Sequence, residues 1–347
     1  MTKKPLRIGT RDSVLATWQA RYVSDVLKEA GYPTELIYIK TEGDRVLDTP
    51  LPLMGGKGVF TKALDDALMD GTVDIAVHSL KDIPTRQPQD LIIAAVTKRE
   101  DTRDVLVTRK SALRERSSAH DGREIVDSDT KNTGNDAGKK RYDAIMTQGG
   151  ATTDLKGSNA VIASSSNRRI GQWLAHYPEH KMVDIRGNIQ TRLQKLVKSN
   201  WDGAIFAAAG LRRLGLEHHI DQVLDWMLPA PGQGAMGVMI REDDPYAKEA
   251  VRNVHDEHSA LCTQIERDVL HTLEGGCSAP VGALAKIGGD DVQLYVNAVY
   301  PDGRGMIAFE MTSHRDEAAD LGKRAASEAL KRGADLLIRD INNSDSS

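Results

Sequence analysis

Hydrophobic positions along the chain alternate between short strand-like runs and stretches with helical spacing. Residues 6–9 form an apolar run, and apolar residues then recur at helical spacing over residues 14–27, with Ser13 at the expected N-cap position. Residues 60–68 follow the i, i+3, i+4, i+7, i+8 spacing of an amphipathic helix. Residues 73–77 resemble a buried strand that ends in a polar corner. This alternation predicts an α/β layer fold.

The same strand, corner and helix plan returns in a second unit that begins near Asn159. It comprises a predicted strand over 160–163, a polar corner over 164–169 and a helix over 170–177. The repetition predicts two related α/β domains. Further predicted elements are strands at 35–40, 91–96, 105–108, 182–185, 204–208 and 292–299, and helices from Ile189, over 257–273 and over 316–332. The stretch 228–237 is rich in Pro and Gly and predicts a hinge or crossover.

Residues 109–157 differ from the rest of the chain. They are rich in charged residues, Gly, Ser, Thr and Asn and contain few large apolar side chains. Such a segment buries too little surface to offset its ordering entropy, which predicts a mobile loop. A tolerated insertion is favoured over a lid or an oligomer contact.

Composition narrows the class of protein. Lys plus Arg number 46 and Asp plus Glu number 50, so the net charge of −4 argues against a general nucleic-acid-binding protein. The 2 cysteines exclude a disulfide scaffold and favour a reducing compartment. No apolar run approaches the length of a membrane helix, and the N-terminus enters a strand too early for a signal peptide. We expect a cytoplasmic protein that uses neither membrane nor nucleic acid.

A set of arginines is predicted to lie at strand-to-helix corners or just inside the following helices. They are Arg11, Arg168, Arg169, Arg186 and Arg192. Ligands of open α/β sheets bind outside the carboxyl ends of strands, where helix N-termini also present free N–H groups. A guanidinium matches a carboxylate or phosphate with its planar fork. The set favours a ligand with several anionic groups over separate surface charges or ion pairs with the acidic residues.

Two further positions are candidates for chemistry. Asp82 follows Lys81 after the predicted strand 73–77, where a carboxylate stabilises a developing cation or moves a proton, although a capping role before Ile83 is also typical. Cys277 lies on a Gly-Gly turn, where an exposed thiolate is a nucleophile or a covalent attachment point, and an incidental loop cysteine is an equal alternative. Cys262 lies on the apolar side of a predicted helix and is interpreted as an inert core thiol.

A series of motifs in the right order resembles the porphobilinogen deaminase, or hydroxymethylbilane synthase, family. The stretches are RIGTRDSVLATWQA (7–20), TEGDRVLDTPL (41–51), GGKGVFTKAL (55–64), DIAVHSLKDIPT (74–85), KREDTRDVLV (98–107), SSSNRRIGQ (164–172), IRGNIQTRLQKL (185–196), AAAGLRRLGLE (207–217), PGQGAMG (231–237) and LEGGCSAPVGA (273–283). They span nearly the whole chain except residues 109–157.

The resemblance implies three domains, two similar to periplasmic binding proteins with a cleft between them and a small α+β C-terminal domain that carries a cofactor cysteine. We place domain 1 at 1–104 and 235–252, domain 2 at 105–234 with the insertion, and domain 3 at 253–347. It further implies a cytoplasmic monomer.

The activity implied by the resemblance is a transferase reaction of tetrapyrrole biosynthesis, the haem and chlorophyll type of pathway. Four porphobilinogen molecules are joined head to tail into hydroxymethylbilane, and ammonia leaves at each step. The chain grows on a dipyrromethane cofactor held by a thioether to the cysteine that matches Cys277. Each pyrrole carries an acetate and a propionate, which accounts for the number of arginines. The runner-up is a two-domain carboxylate or phosphate receptor without catalysis, which would need neither Cys277 nor Asp82.

Residue roles follow from the matched positions. Asp82 matches the catalytic carboxylate, which stabilises the positive charge that appears when ammonia leaves and when the rings couple. Binding of the cofactor carboxylates is implied for Lys81, Arg168, Arg169 and Arg213, with hydroxyl partners Ser13, Ser164 and Ser166, and binding of the substrate is implied for Arg11, Arg186 and Arg192. No metal is implied. The chain departs from the family's V-G-T-S-S-L-R-R corner at Ala163 and Asn167, which puts local packing in question.

Overall fold

The computed structural model describes residues 4–40, 61–114, 155, 159–273, 279–335 and 337. The strands are β1 Leu6–Thr10, β2 Thr34–Tyr38, β3 Ile75–Ser79, β4 Leu91–Val96, β5 Asp104–Thr108, β6 Val161–Ala163, β7 Lys181–Val183, β8 Gly203–Ala207, β9 Gln222–Val223, β10 Met236–Arg241, β11 Val281–Gly288, β12 Asp291–Val299 and β13 Met306–His314. The α-helices are α1 Val14–Glu29, α2 Lys62–Met69, α3 Arg109–Ala112, α4 Asn167–His176, α5 Ile189–Lys198, α6 Ala208–Arg213, α7 Pro245–Val251, α8 Glu257–Thr272 and α9 Leu321–Lys331.

In the described part of the chain, two five-stranded sheets share one topology. The first has the order β2-β1-β3-β10-β4 and the second the order β7-β6-β8-β5-β9. In each sheet the first three strands are parallel, and the fourth is antiparallel to both of its neighbours. β5 and β10 are the strands by which the chain enters the second sheet and returns to the first. The duplicated plan confirms the prediction of two similar α/β units. We call the sheet β2-β1-β3-β10-β4 with its helices the first unit, and the sheet β7-β6-β8-β5-β9 with its helices the second unit.

The third sheet is an antiparallel meander, β11-β12-β13, and α8 and α9 contribute to its core. This sheet and the two helices form the third unit. Cys262 of α8 is buried in this core, and burial raises the pKa of its thiol to about 11. This environment confirms the interpretation of Cys262 as an unreactive core thiol. The three sheets together confirm the predicted fold class of two α/β domains and a small C-terminal α+β domain.

The alternation of side chains in β3 explains how the first sheet is covered on both faces. Ile75 and Val77 pack with the apolar residues of α1, whereas Ala76 packs with Leu64 and Leu68 of α2. A strand buried on both faces has an almost continuous apolar sequence, as residues 73–77 do. The predicted strand was displaced by two residues, because β3 continues to Ser79, which pairs with Met236 of β10.

Several other boundaries differ from the predictions. α4 begins at Asn167 rather than at 170, because the Ser166 side chain accepts a hydrogen bond from the Arg169 amide and caps the helix there. The alanine-rich stretch 316–332 divides into a 3₁₀-helix, Arg315–Asp320, followed by α9. The elements that were not predicted are β9, β10, β11, β13, α3, α6 and α7. The boundaries of β4 agree with the prediction, and α8 ends one residue earlier than predicted.

The insertion and the domain limits stay predictions. Within residues 109–157 the structure describes α3, the two residues after it and Leu155, and the remaining residues lie outside the described part. Within the described ranges, no helix is long and apolar enough to cross a membrane. The same part of the chain contains no cluster of His, Cys, Asp and Glu suited to a metal ion.

Candidate active site

The candidate catalytic carboxylate lies on a tight turn directly after β3. A 3₁₀-helix, Leu80–Asp82, forms this turn. Leu80 and Ile83 are each 1% exposed and fix the turn in the core, whereas Lys81 is half-buried and Asp82 is exposed. The alternation of apolar and polar residues in this motif therefore presents the Asp82 carboxylate to solvent at the carboxyl end of a central strand, where ligands of α/β sheets bind.

Lys81 lies in a strongly cationic environment. Burial lowers the pKa of its ammonium group to about 8, and the charge of Arg169 acts in the same direction. Its Nζ donates a hydrogen bond to Oε1 of Gln233 at 3.2 Å. A pKa near 8 still leaves the group mostly protonated at neutral pH. Lys81 therefore acts as a cation that an anionic ligand would stabilise.

Gln233 joins the first unit to the second. It is fully buried, and its Nε2 donates to the Thr102 carbonyl at 2.8 Å and to Oδ1 of Asp104 at 2.9 Å. The sequence predicted only a hinge or crossover for the segment 228–237 and no role for the Gln233 side chain. The Pro-Gly-Gln-Gly sequence around Gln233 was the signal that could have marked this residue.

Asp104 is a buried carboxylate for which no sequence pattern predicted a role. Its Oδ2 accepts from Nη1 of Arg168 at 2.7 Å, and its Oδ1 accepts from Nη2 of Arg169 at 2.7 Å. Burial by itself would raise the pKa of Asp104, but the charges of Arg168 and Arg169 outweigh it and hold the pKa well below its usual range. Of the alternatives considered for each arginine, the ion pair with an acidic residue therefore holds for Arg168 and Arg169.

The serines before α4 build the corner that holds the two arginines. Ser164 is buried, and its Oγ accepts from the Ser166 amide at 3.3 Å. Ser166 in turn caps α4 through the Arg169 amide. The two departures from the family motif fit this arrangement, because Ala163 packs in the core of the second sheet and Asn167 occupies the first helical position.

Arg192 brings a second-unit cation toward Asp82. Its Nε donates to the Gly187 carbonyl at 2.7 Å, in a turn where the φ of 109° requires glycine. Burial lowers the pKa of Arg192 to about 10, the charge of Arg169 lowers it further, and the charge of Asp82 opposes both. Arg186, in the same turn, donates to Asp184 at 2.8 Å.

The remaining predicted residues lie at the start of α1 and at the end of α6. The Ser13 hydroxyl accepts from the Ala16 amide at 3.3 Å and caps α1, and Arg11 is half-buried at the corner that precedes it. Arg213 donates to the Gly234 carbonyl at 2.6 Å, and its guanidinium lies 5.8 Å from the Trp18 ring centre. Burial lowers the pKa of Arg213. Gly234 follows Gln233, so Arg213 reaches the segment that also contacts Lys81.

Positive charge exceeds negative charge at this site. Among the described residues that interact electrostatically around Lys81 and Arg192, the cations are Lys81, Arg168, Arg169, Arg186 and Arg192, and the carboxylates are Asp82, Asp104 and Asp184. Burial and the charges of neighbouring arginines lower the pKa values of Lys81, Arg168 and Arg192. Such an excess of cations is the environment that a polyanionic ligand stabilises. Cys277, the predicted attachment point, lies outside the described residues.

Comparison with protein-family models yields two matches that cover most of the chain. The family described as "Porphobilinogen deaminase, dipyromethane cofactor binding domain" matches residues 6–133 and 118–249. The family described as "Porphobilinogen deaminase, C-terminal domain" matches residues 260–331.

Curated relatives match over nearly their full length. The porphobilinogen deaminase of Pelotomaculum thermopropionicum is 39% identical over 341 residues, which cover 97% of each chain. The porphobilinogen deaminase of a Nitratiruptor species is 37% identical over 342 residues, which cover 96% of each chain. That of Pelobacter propionicus is 36% identical over 346 residues, 98% of each chain.

Solved structures of binding proteins are more distantly similar. The methionine-binding protein MetQ is 11% identical, with a TM-score of 0.39, and the match covers 74% of this chain and 91% of that chain. A periplasmic binding protein of Salmonella typhimurium with high arginine specificity is 13% identical, with a TM-score of 0.36 and coverage of 74% and 94%.

Proposed function

The chain belongs to the porphobilinogen deaminase family, and on that premise we propose how its own residues carry out the family's reaction. The protein is a transferase of tetrapyrrole biosynthesis that polymerises porphobilinogen. Four porphobilinogen molecules and one water molecule, which supplies the hydroxyl group, are converted into one hydroxymethylbilane and four molecules of ammonia, with the pyrroles joined head to tail. In each condensation the C–N bond to the amino group breaks, ammonia leaves, and a C–C bond forms to the free α-carbon of the preceding pyrrole, which then loses its proton.

The observation that carries the assignment of residues is the exposed Asp82 carboxylate in a cationic environment. Asp82 and Lys81 belong to the turn after β3, and they interact electrostatically with Arg169 and Arg192 of the second unit. A receptor for anions has no use for an exposed carboxylate among its cations. A polymerase has such a use, because a positive charge forms on the substrate while its acetate and propionate side chains remain bound to arginines.

Asp82 is the catalytic residue in this proposal. Its carboxylate stabilises the cation that porphobilinogen becomes when ammonia departs, and it stabilises the positive charge again while the new C–C bond forms. It also accepts the proton released from the α-carbon or transfers that proton to water. Because Asp82 is exposed at the end of β3, a pyrrole ring has access to it from the solvent side.

The donor set fits a dipyrromethane, which has four carboxylates on two rings. Lys81, Arg168, Arg169 and Arg213 would hold these carboxylates, and Ser13, Ser164 and Ser166 would add hydroxyl contacts. When bound, the group supplies the free pyrrole carbon to which the first substrate is joined. Cys277 is proposed as its point of attachment, on the strength of the family motif. Arg11, Arg186 and Arg192 are proposed to bind the acetate and propionate of the incoming substrate through their planar forks.

Intact-protein mass spectrometry with added porphobilinogen tests this proposal. We expect the wild type to carry the mass of a dipyrromethane and to gain further pyrrole units in steps, and we expect Cys277→Ala to carry no adduct. Asp82→Asn should retain the adduct but form hydroxymethylbilane at about one-hundredth of the wild-type rate or below, because it loses the charge that stabilises the cation.

Asp90→Asn is the matched control, since Asp90 is also an exposed aspartate in a loop of the first unit. Its rate should equal that of the wild type. Bilane formation by Asp82→Asn at the wild-type rate would overturn the role of Asp82. A wild type that binds porphobilinogen without forming bilane would leave only an anion receptor.

We also propose that the protein is a cytoplasmic monomer. The low number of cysteines supports a reducing compartment. The exposed large apolar side chains in the described part of the chain are spread over five helices and strands or their ends, which supports a monomer. They are Val14 and Tyr22 of α1, Tyr38 of β2, Met69 of α2, Leu113 after α3 and Leu330 of α9.

A further inference from the structure

α8 of the third unit directs a buried arginine at the turn that bears Asp82. Arg267 is 6% exposed although its side chain is charged. Its Nη1 donates to the carbonyls of Leu80 at 3.2 Å and Ile83 at 2.8 Å, and its Nη2 donates to the carbonyl of Pro84 at 2.8 Å. A single guanidinium thus holds three carbonyls within five consecutive residues of the first unit.

These carbonyls flank Asp82. The Leu80 carbonyl precedes Asp82 by two residues and also accepts from the Ile83 amide at 3.2 Å, which closes the 3₁₀ turn. The Ile83 and Pro84 carbonyls belong to the two residues that follow Asp82. The Arg267 guanidinium therefore fixes the backbone on both sides of the proposed catalytic residue without contacting its carboxylate.

The backbone has a large influence on where this carboxylate lies. Asp82 is exposed, so core packing does not hold its side chain, and the orientation of its Cα–Cβ bond is set by the turn. Stabilisation of a developing charge falls steeply when the stabilising group is displaced, even by about 1 Å. Three hydrogen bonds from one rigid, planar group restrict such displacement more than separate flexible donors would.

We propose that Arg267 is a positioning residue for the condensation reaction, acting on Asp82 through the backbone of residues 80–84. This inference rests on the proposed function, because it assumes that Asp82 is the catalytic carboxylate. It assigns to the third unit a role beyond attachment of the cofactor. α8 ends at Thr272, five residues before Cys277 in the sequence, so one helix precedes the proposed attachment point and also holds the catalytic turn.

Steady-state kinetics of the full-length holoprotein and of three variants test the proposal. Arg267→Gln removes the fork, and we expect kcat to fall by between about tenfold and 100-fold while KM stays within about twofold, because the substrate-binding arginines are untouched. Arg267→Lys keeps the charge but places its donors on a single nitrogen without the planar fork, and it should recover part of the lost kcat. Mass spectrometry should find the dipyrromethane adduct in both variants.

Arg241→Gln is the matched control. Nη1 of Arg241 donates to the backbone carbonyls of Leu68 at 2.8 Å and Val73 at 3.3 Å, at the opposite end of the first sheet from Asp82. Arg241→Gln therefore also removes hydrogen bonds from a guanidinium to backbone carbonyls, and its melting temperature should fall. Its kcat, measured well below the melting temperature, should stay within about twofold of the wild-type value.

An active wild type with unchanged kcat in both Arg267 variants would overturn the positioning role and leave the proposed function intact. Equal losses of kcat in Arg267→Gln and Arg241→Gln would overturn it too, because the effect would then follow stability alone. Absence of the adduct from Arg267→Gln would mean that Arg267 acts on cofactor loading instead. If Arg267→Gln does not fold, a wild-type kcat in Arg267→Lys decides against the proposal and a reduced kcat with unchanged KM supports it.

Discussion

At the scale of single residues, Asp104 holds the arginine pair of the site in place. It is fully buried, and Arg168, Arg169 and Gln233 all donate to it. A buried guanidinium without a counter-charge is costly, so the carboxylate makes it possible for two cations to lie side by side at the start of α4. The arrangement orients the arginines before any ligand is bound, which reduces the entropy lost on binding.

Asp104→Asn should lower the free energy of unfolding at pH 7 by about 3 kcal/mol or more, because two buried arginines lose their counter-charge. The folded-state pKa of Asp104 is depressed, so its contribution is present above the unfolded value near pH 4 and is lost as the pH falls toward the folded value. The difference between wild type and variant should therefore shrink on acidification below about pH 4.

Urea unfolding of both proteins across this pH range measures the difference. Asp302→Asn is the control, since Asp302 pairs with Arg304 at 3.4 Å on the surface and is more than half exposed. It should cost less than about 1 kcal/mol. A loss for Asp104→Asn no larger than for the control would contradict the role of Asp104.

At the scale of elements, the third unit depends on the close approach of α8 and α9. The two helices contribute Ile265, Val269, Leu321 and Ala325 to one core. Gly322 of α9 lies against the backbone carbonyl of Ile265 in α8, and a Cβ at this position would collide with that oxygen. Backbone atoms do not yield as a flexible side chain does, so the helix pair requires glycine here.

Gly322→Ala should lower the free energy of unfolding by about 2 kcal/mol or more, because α8 and α9 must move apart. Gly288→Ala is the control in the same unit, since nothing lies within contact distance of a Cβ at Gly288. Thermal unfolding of the two variants compares them. Equal melting temperatures for both would show that the helix pair adjusts without loss of stability.

At the scale of the whole molecule, Glu266 connects the three units. Its Oε1 accepts from Arg99 Nη1 at 2.7 Å and its Oε2 from Arg99 Nη2 at 2.9 Å, in a bidentate pair. The same carboxylate accepts from the backbone amides of Gly232 and Ala285, both at 2.8 Å. Arg99 follows β4 of the first sheet, Gly232 lies in the segment that returns from the second sheet, and Ala285 belongs to β11 of the third. One fully buried carboxylate therefore binds all three.

Glu266→Gln should lower the free energy of unfolding by about 3 kcal/mol or more, because Arg99, whose side chain is only 11% exposed, then lacks its counter-charge. Glu328→Gln is the control, since Glu328 pairs with Arg332 at 2.8 Å on the surface of α9 and should contribute only about 0.5 kcal/mol. Scanning calorimetry of both variants measures the change. A melting temperature of Glu266→Gln equal to that of the control would contradict the connecting role.

The amino-acid sequence by itself determined the local secondary structure of several segments and the repeated order of strands and helices. Apolar periodicity placed β4 and α8 to within a residue, and the repeated strand, corner and helix plan predicted the two α/β units. Motifs with a family resemblance identified Asp82 and Cys277, whose roles stay predictions. These features were accessible because periodicity and short motifs depend on neighbouring residues.

Only the tertiary structure decided which side chains meet. Asp104 lies 64 residues from Arg168 and 129 from Gln233, Arg99 lies 167 residues from Glu266, and Arg267 lies 187 residues from Leu80. A buried ion pair or a hydrogen bond to a backbone carbonyl leaves no periodic trace in the sequence, since any of many acids or carbonyls could be the partner. The pairing is fixed by how the sheets pack together, and that packing is a property of the whole fold.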